Sequence, residues 1–91
     1  MTREETTGMV NVYRDTFTQA VYRHANMWKA IREGLDTIDG LTRHYHKTME
    51  GLHRLGVMIE AMGYEPWWDF VTREWKIAKG KTVVAKGTVA L

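Results

Sequence analysis

From Phe17 to Ile59 the chain sets down a buried-type residue at alternating three- and four-residue steps. The positions are Phe17, Val21, His24, Trp28, Ile31, Leu35, Ile38, Thr42, Tyr45, Met49, Leu52, Gly56 and Ile59, and most are apolar. Such spacing keeps one stripe of an α-helix covered. It also fits the 3.5-residue period of a coiled-coil seam. Polar residues fall on the other side, Asn11, Asp15, Lys29 and Glu33 early and Arg43, Lys47, Glu50 and Arg54 later. The pattern predicts long amphipathic helices that need something to pack against.

Breaks in the pattern divide the chain. Thr2-Arg3-Glu4-Glu5 reads as a capping box, with Glu5 reaching back to the cap. Thr6-Thr7-Gly8 propagates a helix poorly, so either Thr2 or Thr7 starts helix 1, which is expected to be firm over about residues 10–34. Gly34 suits the left-handed position that ends a helix, and Asp36 or Asp39 suits the cap of the next. Gly34 and Gly40 inside one helix would cost about 2 kcal/mol together. The segment therefore reads as a hairpin turn rather than the middle of one uninterrupted helix, although the heptad phase runs through it. Helix 2 is expected over about 38–62, closed by Gly63-Tyr64-Glu65-Pro66. Pro66 then reads as the first residue of a short third helix, 66–79. Trp68, Val71 and Trp75 share one side of that helix, and Trp67, Phe70 and Ile77 share another. Residues 80–91 read as a basic, β-prone tail, either an edge strand or a segment that orders on assembly.

The fold expected from this reading is all-α: one domain, residues 1–91, holding a long antiparallel hairpin, a short Trp-rich helix and the tail. Helices of about 25 residues span about 37 Å, and a helix of about 13 residues covers roughly half of that. A homo-oligomer forming a helical bundle would cover the rest.

Composition narrows the setting. A chain of 91 residues buries a modest fraction of its surface. It has no cysteine, which excludes disulfides and thiolate zinc sites. No run of about eighteen apolar residues offers a membrane span. Met1-Thr2-Arg3-Glu4-Glu5 is too polar and acidic for a signal peptide, so a cytoplasmic location is expected. The net charge of +2 does not by itself argue for nucleic acid. It is unevenly placed, however: from Trp75 to Leu91 the chain holds Lys76, Lys79, Lys81 and Lys86 and no acid.

Candidate chemistry is sparse. His46 and His53 lie on one helical face with Glu50 between them, and Glu50-Gly51-Leu52-His53 has the Glu-x-x-His spacing of ferritin-like carboxylate sites. Such a site also needs a carboxylate from the facing helix. In the hairpin the facing residues are about 25–28, which include no acid. These side chains therefore read as solvated surface, His24 as a packed seam residue, and no metal or cofactor is expected. There is no Gly-rich phosphate loop and no nucleophile with a visible base. A helical hairpin also has few loops on which to build a pocket. A non-enzymatic role follows.

The Trp67–Trp75 cluster is the most distinctive stretch. Each buried Trp hides about 150–250 Å², more than a hairpin and one short helix readily accommodate four times over. Trp68, Val71 and Trp75 are expected to anchor helix 3. Trp67, Phe70 and Ile77, flanked by Lys81 and Lys86, are expected to face outward and bind a partner. This reading is of a small oligomeric interaction protein, an adaptor or inhibitor that binds another protein. The alternative is a nucleotide or nucleic acid bound at a subunit junction by Arg43, Lys47 and Arg54, with aromatics stacking on bases.

Overall fold

The computed structural model describes residues 2–35 and 38–91. It has two long helices, α1 (Arg3–Glu33) and α2 (Ile38–Ala61), followed by three strands, β1 (Glu65–Asp69), β2 (Glu74–Lys79) and β3 (Thr82–Thr88). The helices form an antiparallel hairpin. The strands form an antiparallel sheet in the order β1-β2-β3. Among the described residues no helix is long and apolar enough to cross a membrane.

Local chemistry sets the helix ends. The Thr2 side chain accepts the Glu5 backbone N–H at 3.1 Å and caps α1. Thr6 and Thr7 do not break the helix; their hydroxyls donate to the carbonyls of Thr2 and Arg3 four residues back. At the other end Gly34 adopts φ 64°, ψ 36°, and the Leu35 N–H reaches the Ala30 carbonyl at 3.1 Å. This left-handed closure needs a residue without a Cβ. Asp36, a candidate cap for α2, lies outside the described residues. The same closure recurs after α2, where Tyr64 N–H bonds the Ile59 carbonyl at 3.2 Å. One polar clamp ties the helices together: Arg23 on α1 donates to the Thr48 hydroxyl and to the His44 carbonyl on α2.

The all-α expectation fails in the last third of the chain. The segment expected as helix 3, 66–79, is β1, a turn and β2, and the tail is ordered as edge strand β3. The protein is therefore α+β. The residues that produced a helical reading are aromatic or β-branched, the types that pack best on a pleated surface. Glu74-Trp75-Lys76-Ile77 alternates charged and apolar, and Trp75 and Ile77 are the buried pair. Asp69 starts the first turn by accepting the Val71 N–H at 2.7 Å and the Thr72 N–H at 3.3 Å. Gly80-Lys81 makes the second turn, a two-residue hairpin connection. A sheet also covers more than a helix could. Its outer strands stand about 10 Å apart, enough to bridge two helices packed at about 8–10 Å.

The sheet lies over the end of the hairpin where α1 begins and α2 finishes. Met9, Tyr13, Phe17, Ala20 and Val21 of α1 and Leu52 and Ile59 of α2 meet Tyr64, Trp75, Ile77 and Val89 in one core. Strand register decides the inner face: Pro66, Ile77 and Ala85 form one rung, and Trp68, Trp75 and Gly87 the next. A Cβ on Gly87 would stand 2.7 Å from the Trp75 ring nitrogen. Gly87→Ala is therefore expected to lower stability by roughly 1–3 kcal/mol, the usual cost of overpacking. Trp75→Ala is expected to cost about 3–5 kcal/mol. Urea titrations followed by far-UV circular dichroism read both values.

Candidate functional site

The outer face of the sheet is open to solvent, and its middle rung concentrates unusual chemistry. Trp67 on β1 pairs with Lys76 on β2, which pairs with Lys86 on β3. Lys76 Nζ stands 4.9 Å from the centre of the Trp67 ring, within cation–π range. Lys76 and Lys86 face each other directly, an arrangement of like charges that weakens a sheet. The ion pairs among the described residues are Arg14–Asp15 and Arg54–Glu50, so neither lysine has a carboxylate within 4.0 Å. Beside this rung lies a depression of about 420 Å³ lined by Glu65, Trp67, Lys76, Ala78, Lys81 and Val83. Trp67 is 42% exposed and Val83 is 49% exposed. A large apolar ring, a small apolar floor and three cations thus share one surface with the acids Glu65 and Glu74.

The strands split the residues expected to bind a partner. Trp67 and Lys86 sit on the outer rung, and Lys81 sits in the turn at its edge. Ile77 points the other way and is fully buried. Phe70 turns into the core side, stacked on His24 at 4.8 Å and on Phe17 at 5.7 Å. The reason is the period: on a helix Trp67, Phe70 and Ile77 share a side, whereas on paired strands Trp67 and Ile77 lie on opposite faces. The expected anchors divide as well. Trp75 is 5% exposed, Trp68 leans on Phe17 with its ring still partly open, and Val71 at the turn tip is 92% exposed. Lys76, which completes the rung, was readable only as part of a basic run.

Arg43, Lys47 and Arg54 lie exposed along α2, and none of them lines any of the depressions described here. Arg54 pairs with Glu50 at 3.9 Å on that surface. Among the described residues no three His, Asp or Glu side chains gather as metal ligands. His24 is held by packing, and its Nε2 accepts the Trp28 indole N–H at 3.0 Å. A second depression, about 540 Å³, separates α1 from edge strand β3 and is lined by Arg14, Thr18 and Tyr22 on the helix. Tyr22 donates its hydroxyl to the Ala90 carbonyl at 3.0 Å and ties down the end of the chain there.

No family model, curated protein or solved structure matches this chain.

Tyr13 lines a smaller cleft with His53, Glu60 and Trp67. Burial, and secondarily the Glu60 charge, pushes its phenol up to about 12 from an ordinary 10.0. The fold thus favours the neutral phenol. That contribution is complete below pH 10 and is lost as pH rises through about 12. Two pH units correspond to about 3 kcal/mol. Tyr13→Phe is expected to remove that part of the alkaline loss, so its stability should fall less than the wild type's between pH 10 and 12 in paired urea melts.

Proposed function

We propose that this chain is a small, non-enzymatic interaction protein that works as a homo-oligomer and docks an acidic surface of another protein on its open sheet face. The observation that carries the reading is the Trp67–Lys76–Lys86 rung. Two lysines held side by side without a carboxylate repel each other, and an anionic partner relieves that repulsion. Trp67 beneath Lys76 adds a rigid aromatic anchor, the residue type most enriched among interface hot spots. Lys81 at the rim extends the positive field, which speeds encounter with an acidic partner and makes binding weaken with salt. An adaptor or inhibitor needs no more than such a face.

One observation favours a second reading, single-stranded nucleic acid. An exposed Trp on an open antiparallel sheet, flanked by lysines, is also a platform on which a base stacks while the cations track phosphates. The sheet face is thus a further candidate surface for that alternative, beside Arg43, Lys47 and Arg54 on α2.

Isotope-labelled protein titrated separately with an oligoglutamate peptide and with oligothymidylate separates the readings. The first reading expects the Trp67 indole signal and the outer-face amides of β1 to β3 to move with the acidic peptide. The second expects them to move with the oligonucleotide at far lower concentration. Trp67→Ala is expected to keep helical content and Tm while weakening binding by about 2 kcal/mol or more. Both readings fail if neither ligand moves these signals.

A further inference from the structure

The stripe that seats the sheet does not stop where the sheet stops. On α1 it continues from His24 through Trp28 and Ile31 to Leu35, and on α2 it reaches back from Tyr45 to Leu41 and Ile38. Phe17 and Val21 are 0% and 3% exposed under the sheet, but Trp28, Ile31 and Leu35, next along the same stripe, are 46%, 42% and 44% exposed. The boundary is abrupt. Phe70, in the turn between β1 and β2, stacks on His24 and lies 6.1 Å from the Tyr45 ring. Its neighbour Val71 is almost wholly exposed. The molecule is thus a step, with the bare half of the hairpin as floor and the turn as wall, on a body 47 Å long and about 20 Å thick.

We propose that a second copy of this chain fills the step. The bare hairpin end of each copy lies antiparallel on that of the other, so that four helices pack at the centre and one sheet flanks them at each end. This rests on the self-association half of the function proposed above and assigns it a surface separate from the sheet face. Layer height favours this occupant. A helix packs on helices at about 8–10 Å, close to the spacing of a sheet layer, so a hairpin sits beside the sheet at the same level. Symmetry favours it too. A two-fold axis near Trp28 and Ile31 lays each apolar floor on the other and brings each Val71 wall toward the end of the partner's α1. The floor residues Trp28, Ile31, Leu35, Ile38 and Leu41 are apolar, so they offer no counter-charge to the acidic or nucleic-acid ligand suited to the lysine rung. Area sets the strength. The bare end is roughly 15 Å long and 20 Å wide. Interdigitated side chains on two such faces bury about 1,000 Å² in total, the low end for a specific interface. The dimer is therefore reversible.

The test combines sedimentation equilibrium with inter-subunit distances by pulsed electron resonance. Because the chain has no cysteine, single labels at Lys29→Cys and Thr7→Cys are unambiguous. The wild type is expected to approach twice the monomer mass at micromolar concentration. Ile31→Asp and Trp28→Arg are expected to be monomers with unchanged helical content, since both residues lie outside the buried core. Lys29 labels, near the two-fold axis but on the outer side of each hairpin, are expected roughly 20–30 Å apart, two packed helix layers. Thr7 labels are expected roughly 65 Å apart, twice the helical rise over the 22 residues from Thr7 to Lys29. A wild type that stays monomeric overturns the proposal, as does a dimer that survives both substitutions or places the Thr7 labels nearer than the Lys29 labels. A monomer that still binds the acidic peptide through Trp67 removes this dimer and leaves the sheet-face reading standing. Trp67→Ala that remains a dimer but loses the peptide supports the dimer surface as separate.

Discussion

Trp75 lies between the two halves of the molecule. Its ring meets Tyr13 of α1 edge-on at 6.3 Å and lies over the bare backbone of Gly87 on β3. A two-helix hairpin cannot bury its own apolar stripe, and a three-stranded sheet cannot bury its own inner face. Trp75 joins the two deficits. Phe17, Leu52, Ile59 and Ile77 are fully buried in the core that Trp75 shares, Phe17 beneath Trp68 and Phe70. Without a glycine at 87 the ring could not lie flat enough for β3 to close on β2. The seating of the sheet on the hairpin therefore depends on one large side chain and the missing side chain opposite it.

That seating has a consequence for the opposite face of the sheet. When Trp75 and Ile77 turn inward, the pleat forces Lys76 outward, and register then sets it between Trp67 and Lys86. The exposed rung is a geometric by-product of the buried one, yet its composition is not what burial requires. Nothing in the core asks for two lysines side by side. The same argument separates the two surfaces of the molecule. The sheet face is charged and aromatic, with the Lys76–Lys86 pair between Glu65 and Glu74, whereas the bare hairpin end is apolar, and they lie on different elements.

The step at Phe70 limits how far the sheet can reach along the hairpin. Strands of five to seven residues span about 17–23 Å, against about 46 Å for α1 with its 31 residues. The sheet does not reach the whole stripe, and the end that carries Trp28, Ile31 and Leu35 stays open. The Arg23 clamp onto Thr48 and His44 ties the two helices together at the edge of the sheet's cover.

Much of the hairpin was legible from local rules. The Thr2 cap, the left-handed Gly34 and Gly63 closures and the apolar stripe are short-range features, set by residues within about five positions of one another. The sheet carried local signs as well, in the alternation of Glu74-Trp75-Lys76-Ile77 and in the two-residue Gly80-Lys81 turn, but the same aromatics also fit a helical spacing. Trp68, Val71 and Trp75 stand three and four apart, and a short apolar run fits either period. Only the surroundings could choose between them. A broad groove between two helices is covered by a sheet and not by one more helix, and strand pairing joins residues too far apart in the chain for any local pattern to register. That long-range pairing decided that Ile77 is core, that Phe70 stacks on His24, and that Trp67 meets Lys76 and Lys86 on the open face.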